Sequence, residues 1–81
     1  MLQELFDAVR TAEAEQTRAG DKTLWLYRRA MEAEEPDDYY ELYSMYEKAL
    51  EEAKKLFFKV IDARTAYYQA STHKQLAERS A

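Results

Sequence analysis

RAGDKT, residues 18–23, contains the chain's only glycine, and two folds hang on its reading. Gly20 can close a helix as a left-handed C-cap, and Asp21 can open the next one as an N-cap. Residues 2–18 and 22–35 are then separate helices, and the chain is a three-helix bundle. Alternatively, residues 2–34 form one helix, kinked or broken near Gly20.

The apolar positions on either side favour the second reading. At the 100° per residue of a straight helix, Leu2, Leu5, Phe6, Val9, Leu24, Tyr27 and Met31 share one stripe. They stay in phase across Gly20, although Glu13, Gln16 and Gly20 interrupt the stripe. Further along, Tyr39, Tyr43, Tyr46, Leu50, Ala53, Phe57, Val60, Arg64 and Tyr67 alternate steps of four and three, a heptad seam. Leu42, Ala49, Leu56 and Ala63 flank that seam on one side, Ile61 and Tyr68 on the other. Neither glycine nor proline interrupts residues 37–81. This predicts a long second helix over 37–70 or beyond, with 71–81 as a frayed tail. Pro36 suits the first helical turn, and Asp37 and Asp38 suit the positive helix start. Glu51 and Lys55 have the spacing and order of an i,i+4 ion pair.

Packing area separates the two folds. A reversal at Gly20 would leave Leu56, Phe57, Phe58, Val60, Ile61, Tyr67 and Tyr68 without a neighbour from their own chain. Each large apolar side chain so exposed forfeits about 1.5–3 kcal/mol. A first helix nearly as long as the second covers them. The expected fold is an all-α antiparallel helical hairpin of one domain, residues 1–81, turning at Glu35–Pro36. The three-helix bundle is the alternative.

Several function classes lack their residues. The chain has no cysteine, which excludes disulfides and thiolate metal sites and fits a reducing compartment. The start, MLQELFDAVR, has acids where a signal peptide carries bases. No run approaches the roughly 18 apolar residues of a membrane span. A soluble, cytoplasmic chain without a membrane partner is expected. Net charge is −4, from 12 basic and 16 acidic residues, with no basic stripe for direct nucleic-acid binding. His73 is the sole histidine, and position 69, four residues before it, is Gln, so no helical metal-ligand pair exists. Nothing places Ser44, Ser71 or Ser80 beside His73 for nucleophilic catalysis. One glycine cannot build a phosphate loop. The reading is non-enzymatic, without cofactor or metal. Glu13, on the apolar stripe, is expected to snorkel outward or to pair with Arg64 across the hairpin.

What remains points to binding. PDDYYELYSMY, residues 36–46, puts Tyr39, Tyr43 and Tyr46 on the seam and Tyr40 about 100° away. The apolar face of the second helix spans roughly 200°, whereas packing on one neighbour needs about 100°. Another protein or a second copy of the chain should cover the remainder, as a heteromer or homo-oligomer. The candidate contact residues are Trp25, Tyr40, Tyr43, Leu56, Phe58, Tyr67 and Tyr68. A second candidate is an acidic turn: Glu32, Glu34, Glu35, Asp37, Asp38 and Glu41. Such a knob could occupy the basic groove of a nucleic-acid-binding enzyme, as small phage inhibitors that mimic nucleic acid do.

YELYSMYEKALEEA, Tyr40 to Ala53, resembles part of the second helix of the small type III secretion needle co-chaperones. The similar positions are Tyr40, the aromatic at Tyr43, Lys48-Ala49-Leu50-Glu51 and Ala53, within 14 of 81 residues. The resemblance implies a hairpin that holds a needle subunit soluble together with a partner chaperone, residues 39–61 facing that partner. The overall expectation is a non-enzymatic interaction module: adaptor, co-chaperone or inhibitor. An acidic inhibitor and a structural homodimeric four-helix bundle, natural or engineered, are the alternatives.

Overall fold

In the computed structural model, which describes residues 1–80, RAGDKT lies in the interior of a helix. α1 (Leu2–Glu32) runs unbroken through Gly20, and α2 (Pro36–Ser80) follows after a three-residue connection. Gly20 has no positive φ, so the expected C-cap is not formed. The break near Gly20 and the three-helix bundle are both overturned. A continuous α1 covers α2 along a length that two short helices would leave bare, which offsets the cost of an interior glycine.

The helices are antiparallel. Phe6 meets Tyr67 with ring centroids 5.9 Å apart, and Tyr27 meets Tyr46 at 5.3 Å. The Cα envelope measures 69 × 14 × 14 Å, a rod. Its radius of gyration is 19.0 Å, against about 12 Å for a compact domain of this length. α2 outruns α1: Ser71 is its last half-buried residue, and Thr72 to Arg79 are exposed.

The turn follows from its sequence. A residue before proline is disfavoured in the α region, which places the end of α1 before Glu35. α1 ends at Glu32, two residues short of the expected limit. Ala33 is extended, with φ −67° and ψ 130°, and its N–H donates to the Ala30 carbonyl at 3.3 Å. Pro36 takes the first helical position, where its missing N–H costs nothing. The Glu35 carbonyl accepts the Tyr39 N–H at 3.0 Å, closing the first turn of α2.

The seam between the helices differs in phase from the expected stripes. In α1 the seam positions, buried or half-buried, are Leu2, Leu5, Val9, Ala12, Gln16, Ala19, Thr23, Leu26, Ala30 and Ala33. These alternate steps of three and four throughout. Leu24, Tyr27 and Met31, placed on the core stripe by a straight-helix period, are 49%, 42% and 48% exposed. The cause is geometric: a 3.6-residue helix drifts about 20° per heptad from a 3.5-residue seam. Over three heptads the straight stripe walks off the contact line. In α2, Tyr39, Tyr46, Ala53, Val60 and Tyr67 lie on the seam as expected. Their alternates are Leu42, Ala49, Leu56, Ala63 and Ala70, not Tyr43, Leu50, Phe57 and Arg64. The observed seam is rich in alanine, which lets two helices approach at the short end of the 8–10 Å range. Leu26 and Val60 are the large side chains fully enclosed in it. The buried Thr23 hydroxyl donates to the Ala19 carbonyl one turn back, at 2.7 Å.

Among the described residues two ion pairs cross the hairpin. Arg64 reaches Glu13 at 2.8 Å, as expected from the sequence, and Lys59 reaches Glu15 at 3.1 Å. All four side chains are partly exposed, so each pair contributes less than about 1 kcal/mol and chiefly helps hold the register. Along α2, Glu51 pairs with Lys54 and Glu52 with Lys55, at i,i+3 spacing in place of the expected Glu51–Lys55 pair.

A Cβ built on Gly20 meets nothing within 4 Å. Gly20→Ala should therefore stabilise the fold by about 0.5–1 kcal/mol, by lowering the entropy of the unfolded chain. In a domain this small, 1 kcal/mol raises Tm by about 4–8 °C. Thermal unfolding followed by circular dichroism checks this, and a lower Tm would mean that Gly20 makes a turn or a close contact.

Candidate protein-binding face

One position round from the seam, each helix presents a second row at heptad spacing. In α1 it holds Phe6, Glu13, Leu24, Tyr27 and Met31, with Arg10, Thr17 and Gly20 between them. In α2 it runs Tyr40, Tyr43, Glu47, Leu50, Lys54, Phe57, Ile61, Arg64 and Tyr68. The Glu13–Arg64 pair and the Tyr27–Tyr46 contact put both rows on the same side of the hairpin. They edge a shallow groove lined by Gly20, Thr23, Leu24, Tyr27, Tyr46, Leu50 and Ala53. The result is one broad face rich in rings and aliphatic chains, with Arg10, Glu13, Glu47, Lys54 and Arg64 among them.

The opposite face is charged. Lys59 pairs with Glu15 there, and its groove carries Lys22, Lys48 and Glu52 around Ala19, Leu26, Met45 and Ala49. Phe6, Leu24, Tyr27, Met31, Tyr40, Phe57, Ile61 and Tyr68 are each 40–70% exposed and belong to the first face, whereas Trp25 and Met45, 58% and 47% exposed, lie off it. Singly exposed apolar residues need no explanation, but a contiguous face of them does.

The tyrosine-rich stretch is neither fully core nor fully surface. Tyr39, Tyr43 and Tyr46 are half-buried, and Tyr40 is 70% exposed. Their rings form a ladder with centroids 5.3–5.8 Å apart, from Tyr40 through Tyr39 and Tyr43 to Tyr46 and on to Tyr27. Such edge and offset arrangements add to the burial energy.

The seven candidate contact residues divide into groups. Tyr40, Tyr43 and Tyr68 lie on the apolar face. Phe58, 64% exposed, sits at its edge with its ring 5.9 Å from Phe57. Leu56 and Tyr67 are half-buried at seam positions, where much of their surface goes to α1. Trp25 points away from the seam, 58% exposed, with the Arg29 guanidinium 5.7 Å from its ring centre. Phe6, Leu24, Tyr27, Met31, Phe57 and Ile61 are additional members of the face. Reading both helices at a 3.5-residue period would have found them, because they then form a stripe of their own. The acidic candidates Glu32, Glu34, Glu35, Asp37, Asp38 and Glu41 are all exposed at the turn. Arg29 contributes a positive charge to the depression formed there with Glu32, Asp38 and Glu41.

His73 is exposed on the part of α2 beyond Ser71. Among the described residues no group of three or more His, Cys, Asp or Glu side chains is arranged to hold a metal ion. Among the same residues no helix is long and apolar enough to cross a membrane. The fold and the face together define a class, the amphipathic helical hairpin with one aromatic side. Comparison with protein-family models, curated proteins and solved structures finds no match.

Proposed function

We propose that this chain is a non-enzymatic interaction module, an adaptor, co-chaperone or inhibitor, that docks its aromatic face on an apolar surface of another polypeptide chain in a cytoplasmic setting. The observation that carries this is the concentration of Phe6, Leu24, Tyr27, Met31, Tyr40, Phe57, Ile61 and Tyr68, all exposed, on one face of a 69 Å rod. Burying such a face is favourable by roughly 25 cal/mol per Å² of apolar surface. The absence of cysteine supports the reducing setting.

The test is affinity capture from the native host with the intact chain and with an Ile61→Glu/Phe57→Glu variant. Both positions are exposed, so the variant should stay folded by circular dichroism. Capture should survive about 0.5 M salt, where the Debye length is only a few ångströms, and should be lost in the variant. The six exposed acids at the turn support a second reading, an acidic inhibitor that occupies a basic groove. That binding would fade in the same salt and would be unaffected by the double variant, an outcome that would overturn the aromatic-face reading.

A further inference from the structure

We infer that the occupant of the aromatic face is a second copy of this chain, docked antiparallel with its dyad between residues 55 and 56 of α2. The inference rests on the proposal that this face is the docking surface, and it names the partner.

Area comes first. The accessible surface is 6594 Å². A compact monomer of 9.6 kDa exposes about 5,100 Å², leaving an excess of about 1,500 Å² per chain. The rod shape and the exposed end of α2 beyond Ser71 account for part of that excess, and burying about 800 Å² of it per chain already makes an interface of standard size.

Self-complementarity comes next. A two-fold interface must match its own reverse, residue i meeting j while j meets i. The outer row of α2 does so about a centre between 55 and 56. Tyr43 then faces Tyr68 of the second copy, Leu50 faces Ile61, Lys54 faces Phe57, and Glu47 faces Arg64. A ring meets a ring, aliphatic meets aliphatic, the Lys54 stem lies on the Phe57 ring, and the acid meets a base already held by Glu13 at 2.8 Å. Sliding one copy by a heptad worsens the charge match. In one direction Glu47 lands on Phe57 and Lys54 on Leu50. In the other, Lys54 lands on Arg64, a like-charge contact.

The α1 row has a symmetric match of its own one residue away from the level of this dyad. The contacts of Phe6 with Tyr67 and Tyr27 with Tyr46 place residues 17–18 of α1 opposite residues 55–56 of α2. About a centre between residues 18 and 19, one residue (about 1.5 Å) along from that level, Met31 meets Phe6 of the second copy, Tyr27 meets Arg10, and Gly20 meets Thr17. Arg10 already lies over the Phe6 ring, 5.8 Å from its centre, so its guanidinium is positioned for aromatic contact.

Polarity of docking follows from the acidic turn. A parallel pair would set the two clusters of Glu32, Glu34, Glu35, Asp37, Asp38 and Glu41 side by side. The antiparallel pair separates them by most of the rod, far beyond the roughly 10 Å Debye length.

The native absence of cysteine makes the test clean. Sedimentation equilibrium of the full chain at 10–100 µM (about this range suits interfaces of this size) should give twice the 9.6 kDa chain mass. A Leu50→Cys chain mixed with an Ile61→Cys chain should oxidise mainly to the mixed dimer. Either variant alone should cross-link poorly, because identical positions lie eleven residues, about 16 Å, apart along the axis. Glu47→Arg, which sets a second guanidinium against Arg64 of the other copy, should weaken dimerisation tenfold or more while leaving helicity unchanged. Efficient self-linkage of the Leu50→Cys chain would overturn the register. A monomer at 100 µM (about a hundredfold above a micromolar Kd) would overturn the second copy as occupant. If that monomer still captured another chain through Ile61 and Phe57, the interaction reading would stand without the homodimer. If the Ile61→Glu/Phe57→Glu variant changed nothing, both would fall.

Discussion

Leu26→Ala is expected to lower the unfolding free energy by about 2–5 kcal/mol, the range for emptying a buried leucine site. Leu26 is 2% exposed and is one of two large side chains fully enclosed between the helices. Its neighbours on the seam are mostly alanines, too short to collapse into the space it would vacate. A domain of this size has a total stability of about 4–12 kcal/mol, so the loss is a large fraction of the whole. The informative control lies two residues away. Leu24 is 49% exposed, and Leu24→Ala should cost well under half as much. Urea unfolding of both variants at one chain concentration tests the phase of the seam. Concentration must be held constant because a second copy that binds only the folded chain adds its own stabilisation. If Leu24→Ala proved the more damaging, the straight-helix stripe would be the true contact line.

Gly20→Pro should act at the same site as the stabilising alanine substitution, with opposite sign. Proline in a helix interior is about 3 kcal/mol worse than alanine, and glycine is already about 1 kcal/mol worse, so the net loss is about 2 kcal/mol or more. It removes the N–H that donates to the carbonyl four residues back, and its ring crowds that carbonyl. α1 would break at mid-length, uncoupling Leu2–Ala19 from the register that Glu13, Glu15 and Phe6 share with α2. The expected readout is a lower helical signal and a midpoint well below that of Gly20→Ala. A chain that reversed at Gly20 would tolerate proline far better. The two substitutions together test whether α1 is one helix.

The aromatic face shows what could be read from residues and what could not. Tyr40, Tyr43 and Tyr68 were recognisable because the apolar arc of α2 is wider than one neighbour can cover. That inference needs only a helical wheel. Leu56 and Tyr67 looked equally available on the same wheel but lie half-buried at the seam. Leu24, Tyr27 and Met31 looked like core and face outward instead. The confusion has one source. Beside the alanine-rich seam of each helix runs a stripe with bulkier side chains, broken by Arg10 and Glu13 in α1 and by Glu47, Lys54 and Arg64 in α2. An alanine-rich line carries less hydrophobic signal per residue, yet it permits a closer approach and so a better fit of two long helices. The bulky stripe is left over and stays exposed.

Local chemistry, legible in the residues alone, determined that this chain is two long helices joined at Pro36. Propensity, the scarcity of glycine and proline, and the charges at the helix ends each act within a few residues. The Glu13–Arg64 pairing was legible too, because a hairpin turning at a known point sets which residues lie opposite. Only the tertiary structure decided that Gly20 is passed over, and which of two adjacent stripes becomes the seam. Both choices turn on the same comparison, the packing of one entire helix against another. A 3.5-residue and a 3.6-residue period differ by a fraction of an ångström per turn. The difference accumulates over about nine turns until a different set of side chains is inside.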